Sequence, residues 1–199
     1  MQEIIIATKN PNKAKEFKRI FDTDNYEIKT LLDFPEFPDI KEDGATFEEN
    51  ATLKAHAVMN KFQLPTIADD SGLQVDALFG QPGVLSARYA GDHNDAANNA
   101  KLLSEIGGTP KEKRTAKFVT VLVFANPKNS EDLVVRGEVN GLITNFPEGD
   151  DGFGYDPLFY VPELGKTMAQ VSIDEKNKIS HRGNAIRKLE SKWKDWIVL

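Results

Sequence analysis

The chain has 199 residues, 40% of them hydrophobic and 28% charged, with 14 Gly, 10 Pro and a formal net charge of -6. Such a profile belongs to a globular chain long enough to bury a core without staples, and it excludes collagen-like, low-complexity and disordered classes. Because cysteine is absent, disulfides, thiolate nucleophiles and cysteine-ligated zinc are excluded, and the acidic balance opposes bulk binding to nucleic acid while allowing a local pocket for a small anion.

Met1-Gln2-Glu3-Ile4-Ile5-Ile6 carries no basic leader, and no apolar run approaches the roughly 18 residues that a spanning helix needs. The expectation is a cytoplasmic protein with no nucleic-acid or membrane partner. A single domain over 1–199, or one domain with two lobes, fits the length.

In chain order, Ile4-Ile5-Ile6-Ala7 reads as a strand buried on both faces. Asn10-Pro11 then reads as an N-cap followed by proline at the first helical position. Ala14, Phe17, Ile20 and Phe21 recur at helical spacing and leave Lys13, Lys15 and Lys18 off the apolar face. Thr8, Asn10 and Lys13 fall where a loop meets a helix N-terminus, a place that offers free N–H groups and a favourable dipole to phosphate. A capped surface helix with solvated lysines is the alternative.

Tyr26 to Leu32 reads as a second strand, and Asp33 to Lys41 as a proline-containing connection into Glu42-Asp43-Gly44. Thr46-Phe47-Glu48-Glu49 is a capping box. The helix it opens bears Phe47, Ala51, Ala55, Val58, Met59 and Phe62 on one side, with Lys54 about 20° outside that stripe. Lys54 either reaches into a cleft or snorkels along the core edge.

Leu64-Pro65-Thr66-Ile67 leads into Ala68-Asp69-Asp70-Ser71-Gly72, and a second extended segment with Leu73, Val75 and Ala77 follows. Asp, Ser and Gly together predict a turn. Two carboxylates after a strand also invite a metal, and alternation along a strand would send Asp69 and Asp70 to opposite faces, so that one acts and the other supports. Gly80 to Gly91 reads as a long loop containing Ser86-Ala87-Arg88-Tyr89, where Arg88 is a clamp or a surface residue. A helix follows from about Asn94 to Ile106 and stops at Gly107-Gly108.

Ala116 to Ala125 and Leu133 to Ile143 are strands joined as a hairpin, which predicts a mixed sheet. In Phe153-Gly154-Tyr155-Asp156-Pro157 the glycine predicts close backbone approach, and the aromatic rings either stack on a base or fill the core. Ser172-x-x-Glu175 is another capping box, and Ser180-His181-Arg182 opens a last helix with Ile186, Leu189, Trp193 and Trp196 inward. His181 and Arg182 at a helix N-terminus point to a partner rich in acceptors. His56, His93 and His181 show no zinc-ligand spacing, and a serine hydrolase triad lacks its Gly-x-Ser-x-Gly elbow.

Together these segments resemble the inosine triphosphate pyrophosphatase family over nearly the whole chain. The resemblance rests on Thr8-Lys9-Asn10-Pro11-Asn12-Lys13, Thr46-Phe47-Glu48-Glu49-Asn50-Ala51, Ala68-Asp69-Asp70-Ser71-Gly72 and Gly80-Gln81-Pro82-Gly83. It continues through Ser86-Ala87-Arg88-Tyr89, Phe153-Gly154-Tyr155-Asp156-Pro157 and Ser180-His181-Arg182, in that order.

What the resemblance implies is an elongated α/β fold, a mixed β-sheet flanked by helices, with two lobes, the active site in the cleft between them and a homodimeric assembly. It implies hydrolysis of ITP, dITP and XTP at the α-phosphorus to a monophosphate and pyrophosphate. Thr8, Lys9, Asn10, Lys13, Lys54 and Ser71 would bind the triphosphate, Glu42 and Asp70 would hold Mg²⁺, and Asp70 would orient or deprotonate the attacking water. Phe153, Gly154, Tyr155, Asp156, Lys176, His181 and Arg182 would form the base pocket. Hypoxanthine and xanthine offer a 6-oxo acceptor to such donors, whereas adenine offers an amino group. The acidic Gly149-Asp150-Asp151-Gly152 departs from the glycine-rich loop common in relatives and leaves Phe153 in place. The competing expectations are a nucleotide-binding module without turnover and a protein-interaction domain with solvated acidic loops.

Overall fold

The computed structural model describes residues 2–20, 26–91 and 94–197. Phe21 and His93 lie outside the described residues. Strand β1 (Gln2–Ile6) leads into α1 (Pro11–Ile20), β2 (Tyr26–Thr30), α2 (Phe47–Phe62) and β3 (Thr66–Val75). Then come α3 (Asp95–Ile106), β4 (Thr115–Ala125), β5 (Leu133–Ile143), β6 (Phe159–Val161), β7 (Lys166–Thr167), α4 (Ile173–Ile179) and α5 (His181–Trp196). Among the described residues, seven strands form one sheet in the order β2-β1-β3-β4-β5-β6-β7. It is mixed: β1 runs parallel to β2 and β3, whereas β5/β6 and β6/β7 are antiparallel.

Local chemistry sets most boundaries. Asn10 Oδ1 accepts from the backbone N–H groups of Asn12 and Lys13, so the expected cap-then-proline start of α1 is present. Thr46 and Glu49 close a reciprocal capping box on α2, and Ser172 and Glu175 do the same on α4. The expected turn at Asp69-Asp70-Ser71-Gly72 is absent. β3 instead runs unbroken through these residues to Val75, because pairing inside the sheet outweighs local turn preference. The connection after Gly80 is more ordered than a loop, with a 3-10 turn over Gly83–Arg88 whose Ser86 hydroxyl accepts from Leu73 N and donates to Gly83 O.

The chain divides into two compact units, with boundaries inside β3, β4 and β5 and at His181/Arg182. The first comprises Met1–Asp70, Thr120–Gly137 and Arg182–Leu199. Its core joins Ile4, Ile6 and Ile67 of the parallel strands to Leu122, Phe124 and the inner face of α5, where Ile186, Leu189 and Trp193 are buried and Trp196 packs against the cluster. The second unit, Ser71–Val119 and Glu138–His181, packs Leu73, Val75, Phe118, Tyr155, Leu158 and Phe159 into a separate core. No helix among the described residues is long and apolar enough to cross a membrane.

Candidate active site

In the first unit β1 ends at Ile6, which is in register with Ile67 of its parallel neighbour β3. Asp69 and Asp70 therefore lie just past the carboxyl end of β1, the side of an open parallel sheet where ligands bind. Neighbouring positions on a strand face opposite ways, and the two carboxylates have different partners. Asp69 pairs with Lys13 of α1 at 2.9 Å and with Arg182 of α5 at 3.3 Å. Asp70 meets Lys54 at 3.8 Å and accepts from Asn50 Nδ2 at 3.1 Å, both on α2.

Lys54 also donates to Glu42 at 2.7 Å, so its ammonium is shared by Glu42 and Asp70. Lys54 is buried on α2, with its ammonium between these two carboxylates. Burial works to lower the Lys54 pKa, yet Asp69, Asp70 and Glu42 outweigh it and keep the ammonium charged. For Asp70 burial dominates and, with Glu42 adding, raises the carboxyl above the usual range against the pull of Lys54, Lys13 and Asn50. For Asp69 burial acts in the same upward sense, but Lys13, Arg182 and Lys54 overcome it and hold the carboxyl far below that range.

Arg182 is 1% exposed and bonded to Glu16 as well as Asp69. Lys13, Asp69, Arg182 and Glu16 thus form a row of alternating charge. Lys13 is accordingly half-buried, with its ammonium engaged by Asp69. Thr8 is buried and its Oγ1 accepts from Asn10 N. Lys9 turns elsewhere: its Nζ donates to Phe37 O and to Asp39, fastening the 33–41 connection, where Phe37 stacks on Phe62 of α2. Ser71 follows on β3, half-buried, as the first residue of the second unit.

The second unit gathers most of the expected base set. Phe153 N and Lys176 Nζ both donate to Asp156 Oδ2, at 2.9 and 2.7 Å, and the Lys176 ammonium lies 4.7 Å from the centre of the Phe153 ring. Asp156 and Lys176 are buried. Gly152 has a φ of +79°, and a Cβ there would collide with the Asp156 carboxylate, so glycine holds the turn open for this pair. Gly154 has its backbone closely approached, its N–H donating to Asp95 Oδ2 at 2.7 Å and its carbonyl accepting from Asn99 Nδ2 at 3.0 Å, and its left-handed φ of +62° favours glycine, although a Cβ there would meet nothing within 4 Å. Tyr155 is core, with its hydroxyl donating to Ser86 O, and burial raises its pKa. His181 stacks on Phe118 at 4.9 Å. Arg182 belongs to the first unit, where it bonds Glu16 and Asp69.

Chemically, the first unit offers the carboxylates of Glu42, Asp69 and Asp70 beside the ammonium groups of Lys13 and Lys54, which suits a polyanion and an activated water. The second offers an aromatic face flanked by a cation and a carboxylate, which suits a purine. The Ham1 family profile matches residues 4–192. The chain belongs to the Ham1 family. It is 56% identical to the dITP/XTP pyrophosphatase of Lactiplantibacillus plantarum, over 98% of this chain and 96% of the relative. It is 54% identical to the dITP/XTP pyrophosphatase of Geobacillus kaustophilus, with the same two coverages. The solved Staphylococcus aureus Ham1 protein superposes with a TM-score of 0.87 at 46% identity, covering 98% of this chain and 99% of that one.

Three participants of this Ham1 chain escape a reading of sequence: Asn50, Glu16 and the backbone of Gly44. Asn50 carried a signal, since asparagine is a poor helix former and here it occupies the apolar face of α2 one turn before Lys54. Glu16 and Gly44 carried none that distinguishes them from a surface acid and a loop glycine. Among the described residues no cluster of three or more His, Asp or Glu side chains is grouped to hold a metal.

Proposed function

We propose that this chain hydrolyses the non-canonical purine nucleoside triphosphates dITP, XTP and ITP to the monophosphate and pyrophosphate, by attack of water on the α-phosphorus, with residues 1–199 acting as one catalytic domain. The observation that carries the reading is the convergence of Glu42 and Asp70 on the Lys54 ammonium, in a chain more than half identical to proteins named dITP/XTP pyrophosphatase.

Lys13 and Lys54 supply the positive charge for the triphosphate, with Thr8 and Asn10 as polar partners beside the N-terminus of α1 and the Ser71 hydroxyl as a further phosphate contact. Lys9 contributes by holding the 33–41 connection. Asp70 orients the water and accepts its proton, a task eased by the upward shift that burial gives it. Glu42 and Asp70 already share one cation, and two carboxylates with substrate phosphates are the donor set that Mg²⁺ takes. When bound, Mg²⁺ lowers the pKa of water and offsets phosphate charge.

Phe153 stacks on the purine, while Gly154, Tyr155 and Asp156 shape the pocket and Lys176 and His181 donate to a 6-oxo group. Adenine presents an amino donor there and leaves those donors unpaired. Arg182 completes the base set as a further donor, its guanidinium oriented by Glu16 and Asp69. The absence of cysteine supports a cytoplasmic setting, and the family resemblance supports a homodimer.

Pyrophosphate release with Mg²⁺ on dITP, XTP and ITP, against ATP and GTP, tests the reading. Selective turnover of the first three is expected. Equal turnover of ATP overturns the substrate class, and tight binding of every triphosphate without turnover leaves a nucleotide-binding module in its place.

A further inference from the structure

Asn50 is 1% exposed on α2, and its carboxamide is spent at both ends. Oδ1 accepts from the backbone N–H of Gly44 at 2.8 Å, and Nδ2 donates to Asp70 Oδ2 at 3.1 Å. The orientation of the amide is dictated by its neighbours, because an N–H must meet an oxygen and a carboxylate must meet an N–H. Gly44 lies two residues after Glu42, and its backbone presses on α2: an added Cβ would fall 2.7 Å from Glu49 Cβ and 2.8 Å from Asn50 Oδ1. One buried side chain therefore bonds both the segment that carries Glu42 and the carboxylate of Asp70.

Resting on the pyrophosphatase reading, we infer that Asn50 is a positioning residue of this site, setting the rotation of the Asp70 carboxylate and tying the Glu42 segment to it through Gly44. The donation to Oδ2 leaves Oδ1 as the oxygen that faces Lys54, at 3.8 Å. A carboxylate free to rotate would spread its basic lone pairs over many directions, whereas one oxygen held from α2 presents the other in a fixed place. Asn50 is within hydrogen-bond reach of Asp70, and Lys54, one helical turn on, faces the same carboxylate, so α2 sets both the charge and the angle of this group.

The test separates this role from loop anchoring. Asn50→Asp keeps an acceptor for Gly44 N but removes the donor to Asp70, so kcat should fall about 10–100-fold with KM for dITP unchanged. Asn50→Ala, which adds no charge, should show a kcat loss of the same size. A second measurement needs no substrate or metal. In the swap N50D/D70N the bond is restored with reversed polarity, so its melting temperature should lie above that of N50D alone. Unchanged kcat in both single variants, a loss confined to KM, or a swap no more stable than N50D would overturn the inference. An inactive wild-type chain would overturn the pyrophosphatase reading alone, and the swap would still decide the Asn50–Asp70 coupling.

Discussion

Replacing Asp69 by Asn removes one carboxylate from the buried row Lys13–Asp69–Arg182–Glu16 and leaves two cations facing one anion. The Asp69 side chain is 2% exposed and lies 2.9 Å from Lys13 and 3.3 Å from Arg182. Removing one partner of a buried pair costs about 3–5 kcal/mol. Here the low end applies, because Arg182 keeps Glu16 and the Lys13 side chain retains 18% exposure through which water can reach it. A loss of about 3 kcal/mol corresponds to a melting temperature lowered by ~6–12 °C in a chain of this size.

The sign of the pH dependence follows from the depressed carboxyl. Its contribution is complete above the unfolded carboxylate value of about 3.9 and is lost as pH falls through the folded value, which lies well below. The gap between wild type and D69N should therefore be widest near neutrality and shrink below about pH 4. Thermal unfolding followed by circular dichroism across pH 3–8 (roughly the carboxylate-to-neutral window) measures both. A neutral-pH melting point within about 2 °C of wild type, or a gap that widens in acid, refutes the account of Asp69 as the buried counter-charge.

Asp70→Asn should lower dITP turnover by about 10²–10⁴-fold while the circular dichroism spectrum is retained, and near-normal rates would remove Asp70 from the water-activating role. Lys176→Met should narrow the dITP-to-dATP ratio of kcat/KM by about tenfold or more, since the ammonium that meets a 6-oxo group is gone; an unchanged ratio counts against Lys176 as a base reader. Chelation by EDTA should abolish pyrophosphate release and added Mg²⁺ should restore it, with Ca²⁺ a poor substitute; metal-independent release would leave Glu42 and Asp70 without a cation role.

Features settled by short-range chemistry were legible in the sequence. Asn10-Pro11 marks the start of α1, and the Thr46/Glu49 and Ser172/Glu175 boxes mark α2 and α4, because each satisfies helix-end N–H groups within a few residues. The extents of β4 and β5 and the inner face of α5 were readable for a similar reason, as periodicity of apolar residues reports which face is buried. Ala68-Asp69-Asp70-Ser71-Gly72 misled because Asp, Ser and Gly favour turns locally while the sheet holds them extended. Lys13 looked like a solvated helix lysine because nothing near it in sequence is its partner.

By its residues alone the chain determined a mixed α/β sheet, its helix starts and the cluster of motifs that marks its family. Tertiary structure alone decided which cation each carboxylate meets: Lys13 and Arg182 for Asp69, Lys54 for Asp70. Arg182 comes to Asp69 from 113 residues away and to Glu16 from 166. Charge attraction specifies no partner by itself, so the choice falls to the strand alternation that turns Asp69 and Asp70 apart and to the packing of α1, α2 and α5 that brings one cation set to each.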